Sequence, residues 1–140
     1  MFVGIDRNEV KKYVSPNDPD QVNPTVFFIS PLQTEVRNKI EEVTTSVEIS
    51  SKNPGDRIKT NISTGKRHDL IIKYGLKDIQ NFGDSKGNLV KVDIIPTVLC
   101  GKPMEGVSDS IISMLSSNLK SEIAEVIWDE NNLPDAAAKN

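Results

Sequence analysis

The sequence holds a single cysteine, Cys100, and a single histidine, His68. An intrachain disulfide is therefore excluded, and a zinc site lacks its nitrogen and sulfur ligands. Thiol chemistry would need an electropositive setting and would have to pair Cys100 with His68, which sits beside Asp69. Cys100 follows Val98 and Leu99 in an apolar run and reads as a small buried hydrophobe. Aromatic residues are scarce at 5%, which singles out Phe27, Phe28, Phe82 and Trp128 as packing anchors. Basic stripes are missing too. The net charge is −3 and the pI about 5.2, and the densest basic stretch, Lys66-Arg67, runs straight into His68 and Asp69. A nucleic-acid partner is not expected on that footing. No apolar run approaches the ~18 residues of a membrane span. The N-terminus lacks the basic n-region and long apolar core of a signal peptide. The expectation is a chain that stays in the cytoplasm, with no membrane partner.

What is present is one domain's worth of chain. The 140 residues are 36% hydrophobic and 26% charged, lean in apolar content but enough for a core without covalent staples. Residues 1–24 read as an extended arm or loop. Pro16, Pro19 and Pro24 stiffen it by fixing φ and extending their predecessors. Residues 25–140 read as a single domain. Its best strand is 25–30, β-branched and aromatic and bracketed by Pro24 and Pro31. A helix is predicted over 34–45, capped by Thr34, with Val36, Ile40 and Val43 inward and Arg37, Lys39, Glu41 and Glu42 on a solvated face. Val47, Ile49, Ile58, Thr60 and Ile62 alternate around the turn signal Asn53-Pro54-Gly55-Asp56 and predict a hairpin. The steps Ile72, Leu76, Ile79 predict a helix over 66–80, with a strand over 69–74 as the alternative. A turn follows at 82–88, then a short strand within 89–95 and a chain break at Gly101-Lys102-Pro103. Ser108 can cap a short helix with Ile111, Ile112 and Leu115. Ser116 or Ser117 can cap a last one with Leu119, Ile123, Val126 and Ile127 on one face, ended by the segment 131–134. The fold class expected is α+β: a small antiparallel sheet with an extended N-terminal arm and C-terminal amphipathic helices.

Sequence patterns for chemistry fall short of their requirements. Gly65-Lys66 has Thr60 and Arg67 where a phosphate-binding loop needs glycine and a hydroxyl residue. Asn17, Asp18 and Asp20 offer oxygen ligands, but Pro19 and the missing glycine break a calcium loop, leaving solvated carboxylates. Glu122 and Glu125 share a helical face and read as wet surface. Trp128 is either a core anchor or an interface hot spot. These patterns predict no enzyme, no metal and no cofactor.

Three stretches carry a family resemblance. The first is Lys12-Tyr13-Val14-Ser15-Pro16-Asn17-Asp18-Pro19-Asp20 through Asn23-Pro24-Thr25-Val26-Phe27 to Ser30-Pro31-Leu32. The second is Tyr74-Gly75-Leu76-Lys77-Asp78-Ile79-Gln80-Asn81-Phe82, then Asp84-Ser85-Lys86-Gly87-Asn88. The third is Leu119-Lys120-Ser121-Glu122-Ile123-Ala124-Glu125-Val126-Ile127, then Asn131-Asn132-Leu133 and the closing Lys139-Asn140. Together and in this order they resemble tail assembly chaperones and related minor structural proteins of tailed bacteriophages. The chain departs from that group at Ile79, where tryptophan is common, and carries Trp128 in its last helix instead. The resemblance implies a non-enzymatic head, neck or tail component, or a tail assembly chaperone absent from the virion, located in the virion or the host cytoplasm. It also implies other phage structural proteins as partners and a homo-oligomer. A small host regulatory binding domain is the alternative outside that group. An extended arm can add a strand to a partner's sheet, and an amphipathic helix can fill a groove. Tyr13, Pro16, Pro19, Phe27, Trp128 and Leu133 are the expected partner contacts.

Overall fold

The computed structural model describes residues 1–50 and 57–129; the side chains of 47–50 and 57–59 fall outside that description. The turn signal at 53–56 and the whole segment from 130, with Leu133, lie outside it as well. Mixed helices and small antiparallel sheets make an α+β fold. The chain runs β1 (Lys11–Tyr13), β2 (Val26–Ile29), α1 (Thr34–Thr44), β3 (Thr45–Ser50), β4 (Arg57–Ile62), α2 (Thr64–Gly75), β5 (Leu76–Gln80), β6 (Ile94–Leu99), β7 (Lys102–Val107), α3 (Asp109–Ser113) and α4 (Ser117–Trp128). One sheet has the order β1-β2-β5, and β3-β4 and β6-β7 are two-stranded.

Strand β2 forms where predicted, between the two prolines that end it. Phe27 and Ile29 face the core while Val26 and Phe28 are half-buried. It is the central strand of its sheet, flanked by β1 and β5. The predicted N-terminal arm therefore enters the domain's own sheet through Lys11–Tyr13.

The largest departure from expectation comes after α2. The helix predicted over 66–80 ends at Gly75, and Leu76–Gln80 is a strand paired antiparallel to β2. Leu76 and Ile79 are both buried although three residues apart. Ile79 pairs with Phe27, Asp78 with Phe28 and Leu76 with Ile29, so Lys77 is an extra residue at the register shift. One bulged residue turns an odd spacing onto a single face of a strand. A spacing of three thus served a bulged strand where it resembled a helix.

The second departure is at β6 and β7. The strand predicted within 89–95 starts only at Ile94, and the expected break is a two-residue hairpin turn, Cys100-Gly101. Cys100 has φ 50° and Gly101 φ 78°, the left-handed pair that matches the twist of the flanking strands. Cys100 is exposed rather than buried, because the turn, not the apolar run before it, sets its position. Leu99 and Lys102 flank the turn as its hydrogen-bonded pair, so alternation leaves Val98 with Pro103 and Pro96 with Glu105 at non-hydrogen-bonded positions. The missing N–H groups of Pro96 and Pro103 therefore fall on the two outer edges. They cost the hairpin nothing and blunt both edges against strand addition.

Helix caps follow the sequence in part. Ser116 caps α4 by accepting the Leu119 N–H at 3.2 Å. At α1 the cap position is Gln33 and not Thr34, which is already helical, and no side chain caps it. The core gathers around α2: Ile71, Ile72 and Tyr74 meet Ile123, Ala124 and Ile127 of α4, Val36 and Ile40 of α1, and Val107, Ile111, Ile112 and Leu115.

Two glycines set how closely elements approach α2. A Cβ on Gly75 would stand 2.6 Å from Ile127 Cγ2, and Ile127 is fully buried. A Cβ on Gly106 would stand 2.9 Å from Lys73 Cγ and 3.0 Å from the Lys73 carbonyl oxygen. Gly65, near the start of α2, has nothing within 4 Å. Opposite signs follow for one chemical change. Gly75→Ala gains about 0.5–1 kcal/mol of helix preference but loses about 1–3 kcal/mol to overpacking, so urea unfolding should show net destabilisation. Gly65→Ala should raise the midpoint, by up to about 1 kcal/mol.

Candidate interaction site at the strap and the last helix

Residues 6–25 cross the domain as a strap, and its loop is held by its own carboxylates. Asp18 accepts the Asp20 N–H at 2.9 Å on one oxygen and the Thr25 N–H at 2.8 Å on the other. Asp20 accepts the N–H groups of Val22 (3.1 Å) and Asn23 (2.9 Å). These carboxylates, expected to be merely solvated, satisfy backbone donors in a proline-interrupted loop that lacks a ladder. Asn81, with φ 58°, anchors the far end. Its amide donates to the Asn23 carbonyl at 2.6 Å, and its own carbonyl accepts from Thr25 Oγ1 at 2.8 Å.

Glu122 on α4 holds the strap. Glu122 accepts from the Tyr13 hydroxyl at 2.7 Å and from the Asn17 amide at 2.9 Å. This corrects the wet-surface reading of Glu122, which holds a segment more than 100 residues away in sequence. Burial acts to raise the Glu122 pKa, but hydrogen bonds from Ser15, Tyr13 and Asn17 together outweigh it, and the carboxyl lies below its ordinary value. The Tyr13 phenol is pushed well above its ordinary value by burial, then by its hydrogen bond to Glu122 and by that carboxylate's charge. Between strap and helix lies an open cleft of about 670 Å³, with Asp18, Pro19, Phe27, Phe82, Leu119 and Glu122 on its walls.

At its C-terminal end α4 carries a second cluster. The Arg37 guanidinium stacks 3.8 Å from the Trp128 ring centroid and that of Arg67 lies at 5.4 Å, a geometry in which the ring face attracts the cation. Arg37 also donates to the Trp128 carbonyl at 2.7 Å. Arg67 donates to Thr44 Oγ1 at 3.1 Å and Thr45 Oγ1 at 2.9 Å. Arg37, expected on a solvated face, instead ties α1 to the end of α4, where those last-turn carbonyls favour a cation.

The six predicted contact residues separate accordingly. Tyr13 is half-buried in β1, and Pro16 and Pro19 are exposed on the loop. Phe27 is 2% exposed and belongs to the core of its own chain, because it occupies an inward position of the central strand. Trp128 is half-buried beneath Arg37. Leu133 lies outside the described residues. Sequence reasoning missed Glu122 and Asn81, whose roles depend on partners far along the chain. Among the described residues, no three or more His, Cys, Asp or Glu side chains gather to hold a metal ion, and no helix is long and apolar enough to cross a membrane. Compared with known proteins, the chain matches no family model, no curated protein and no solved structure.

The latch has a defined pH window. Glu122 is depressed on folding, so its contribution is present above the ordinary carboxylate pKa of about 4.3 and is lost as pH falls through the folded value. Tyr13 is raised on folding, so its contribution is present below about pH 10 and is lost as pH rises beyond. The Asn17 side-chain amide resonances should hold steady between about pH 5 and 9 and move in acid. Glu122→Gln should abolish the acid limb; an acid limb that survives this change would show another group to be responsible.

Proposed function

We propose that the chain is a non-enzymatic structural or assembly subunit of a tailed bacteriophage, acting through protein–protein contacts. The observation that carries this reading is the placement of apolar side chains on the outside. Met1 and Phe2 are fully exposed and Val3 is 84% exposed. On the outer face of the β6-β7 hairpin, Val98 is 68% and Ile94 45% exposed, beside the exposed Pro96 and Pro103. The pleat puts these four on one face, and Thr97, Leu99 and Met104 on the face toward the core. Leu89, 76% exposed, precedes the same hairpin. Exposed apolar side chains grouped on one face, with Glu105 opposite Pro96 as the charged residue among them, suit contact with another protein. With both hairpin edges blunted by proline, the contact would be made by side chains across the face. The order of the three motif stretches adds the assignment to phage head, neck or tail components.

Light scattering over a concentration series tests the contact reading. The full chain should form a concentration-dependent oligomer, and Val98→Lys or removal of residues 1–5 should shift it at least about ten-fold toward monomer, the equivalent of ~1.4 kcal/mol. Removal is limited to 1–5 because residues from Lys11 onward are part of the sheet. A monomer at every concentration would sink self-assembly. Mass spectrometry of purified virions then separates the two phage roles, since a structural subunit stays in the particle and a chaperone is found only in the lysate.

A further inference from the structure

Strand β1 covers the outer edge of β2 with three residues, in the register Lys11 to Ile29, Lys12 to Phe28 and Tyr13 to Phe27. A ladder this short is weak by itself. Side chains supply the rest of its hold: Tyr13 on Glu122, Ser30 Oγ donating to the Glu9 carbonyl at 2.9 Å, and Arg7 donating to the Leu32 carbonyl at 2.6 Å. The loop that follows is preformed by the Asp18 and Asp20 hydrogen bonds and stiffened by Pro16, Pro19 and Pro24, so β1 can move away without the loop unravelling. Beneath β1 is a central strand whose N–H and C=O groups, once uncovered, would form a ready template.

We propose that β1 is exchangeable: when the Tyr13–Glu122 contact opens, the β2 edge accepts the same segment from a second copy of this chain. The occupant is argued from the contacts already seated there. Each copy carries both halves of every one of them, so the ladder, Tyr13 on Glu122 and Arg7 on Leu32 can all re-form between copies. The β2 edge is then a strand-acceptor site, with Glu122 deciding how readily it is free. This holds whichever assembly the chain serves, and it uses a different surface from the hairpin face.

A fluorescein-labelled peptide of residues 8–15 tests it by anisotropy against the wild-type chain, Tyr13→Phe, and Tyr13→Phe with Glu122→Gln. Tyr13→Phe weakens only the resident strand, because the peptide keeps its tyrosine. Saturable binding should be about ten-fold tighter to Tyr13→Phe than to wild type, the scale of one hydrogen bond to a charged group, and the gain should vanish in the double variant. Equal binding to wild type and Tyr13→Phe, no saturable binding to either, or equal binding of a scrambled peptide overturns the proposal. Hydrogen exchange guards against simple misfolding. Amides of residues 11–13 and 27–29 should exchange faster in Tyr13→Phe while those of α2 keep their wild-type rates; uniform acceleration would overturn β1 opening as a separate unit.

Discussion

The close approach of α4 to α2 at Gly75 is the constraint on which most of the structure depends. Ile127 fills the space a side chain would take there, and the Gly75 carbonyl accepts the Ser30 N–H at 2.9 Å. Helix, helix and central sheet therefore meet at one residue. It is also where the chain changes from α2 to β5 without a connecting loop. Gly106 repeats the device a short way off, letting β7 lie against the Lys73 backbone. Between them these positions fix how α4, β5 and the β6-β7 hairpin stand around α2. A core of dense packing transmits any enlargement at such a point to all of its neighbours.

The strap is organised by a different kind of force. Its loop buries little apolar surface, and carboxylates and amides do the work that a core does elsewhere. Asp18, Asp20, Asn81 and Glu122 each satisfy donors or acceptors that a proline-rich segment cannot pair within itself. Such a region opens locally at lower free energy than the packed helices. The molecule thus combines a rigid centre at α2 with a strand held at its edge mainly through polar contacts.

Its apolar surface and its strand edges are treated separately. The β6-β7 hairpin exposes Ile94 and Val98 yet has prolines at both outer edges, which favours face contact over strand addition. The β2 edge is the converse: open to a strand by its chemistry, but covered by β1. These two surfaces would serve different encounters, one through side chains and one through the backbone.

Local chemistry fixed much of this in advance. The prolines around β2, the hydroxyl cap and apolar stripe of α4, and Val36 and Ile40 on the inward face of α1 are properties of short segments, and they formed where the sequence placed them; Thr44, not Val43, is the third buried residue of that helix. The α+β class follows from the same segments. Spacing alone could not separate a helix from a bulged strand over Leu76 and Ile79, because the bulge exists only opposite β2. Nor could the apolar run before Cys100 show that a left-handed turn would carry it outward. Glu122 and Arg37 sit on helical faces that read as solvated, and only the folded chain brings Tyr13 and Trp128 against them. Segments determined the elements from within themselves; the roles of the polar side chains were decided by partners that tertiary packing alone could supply.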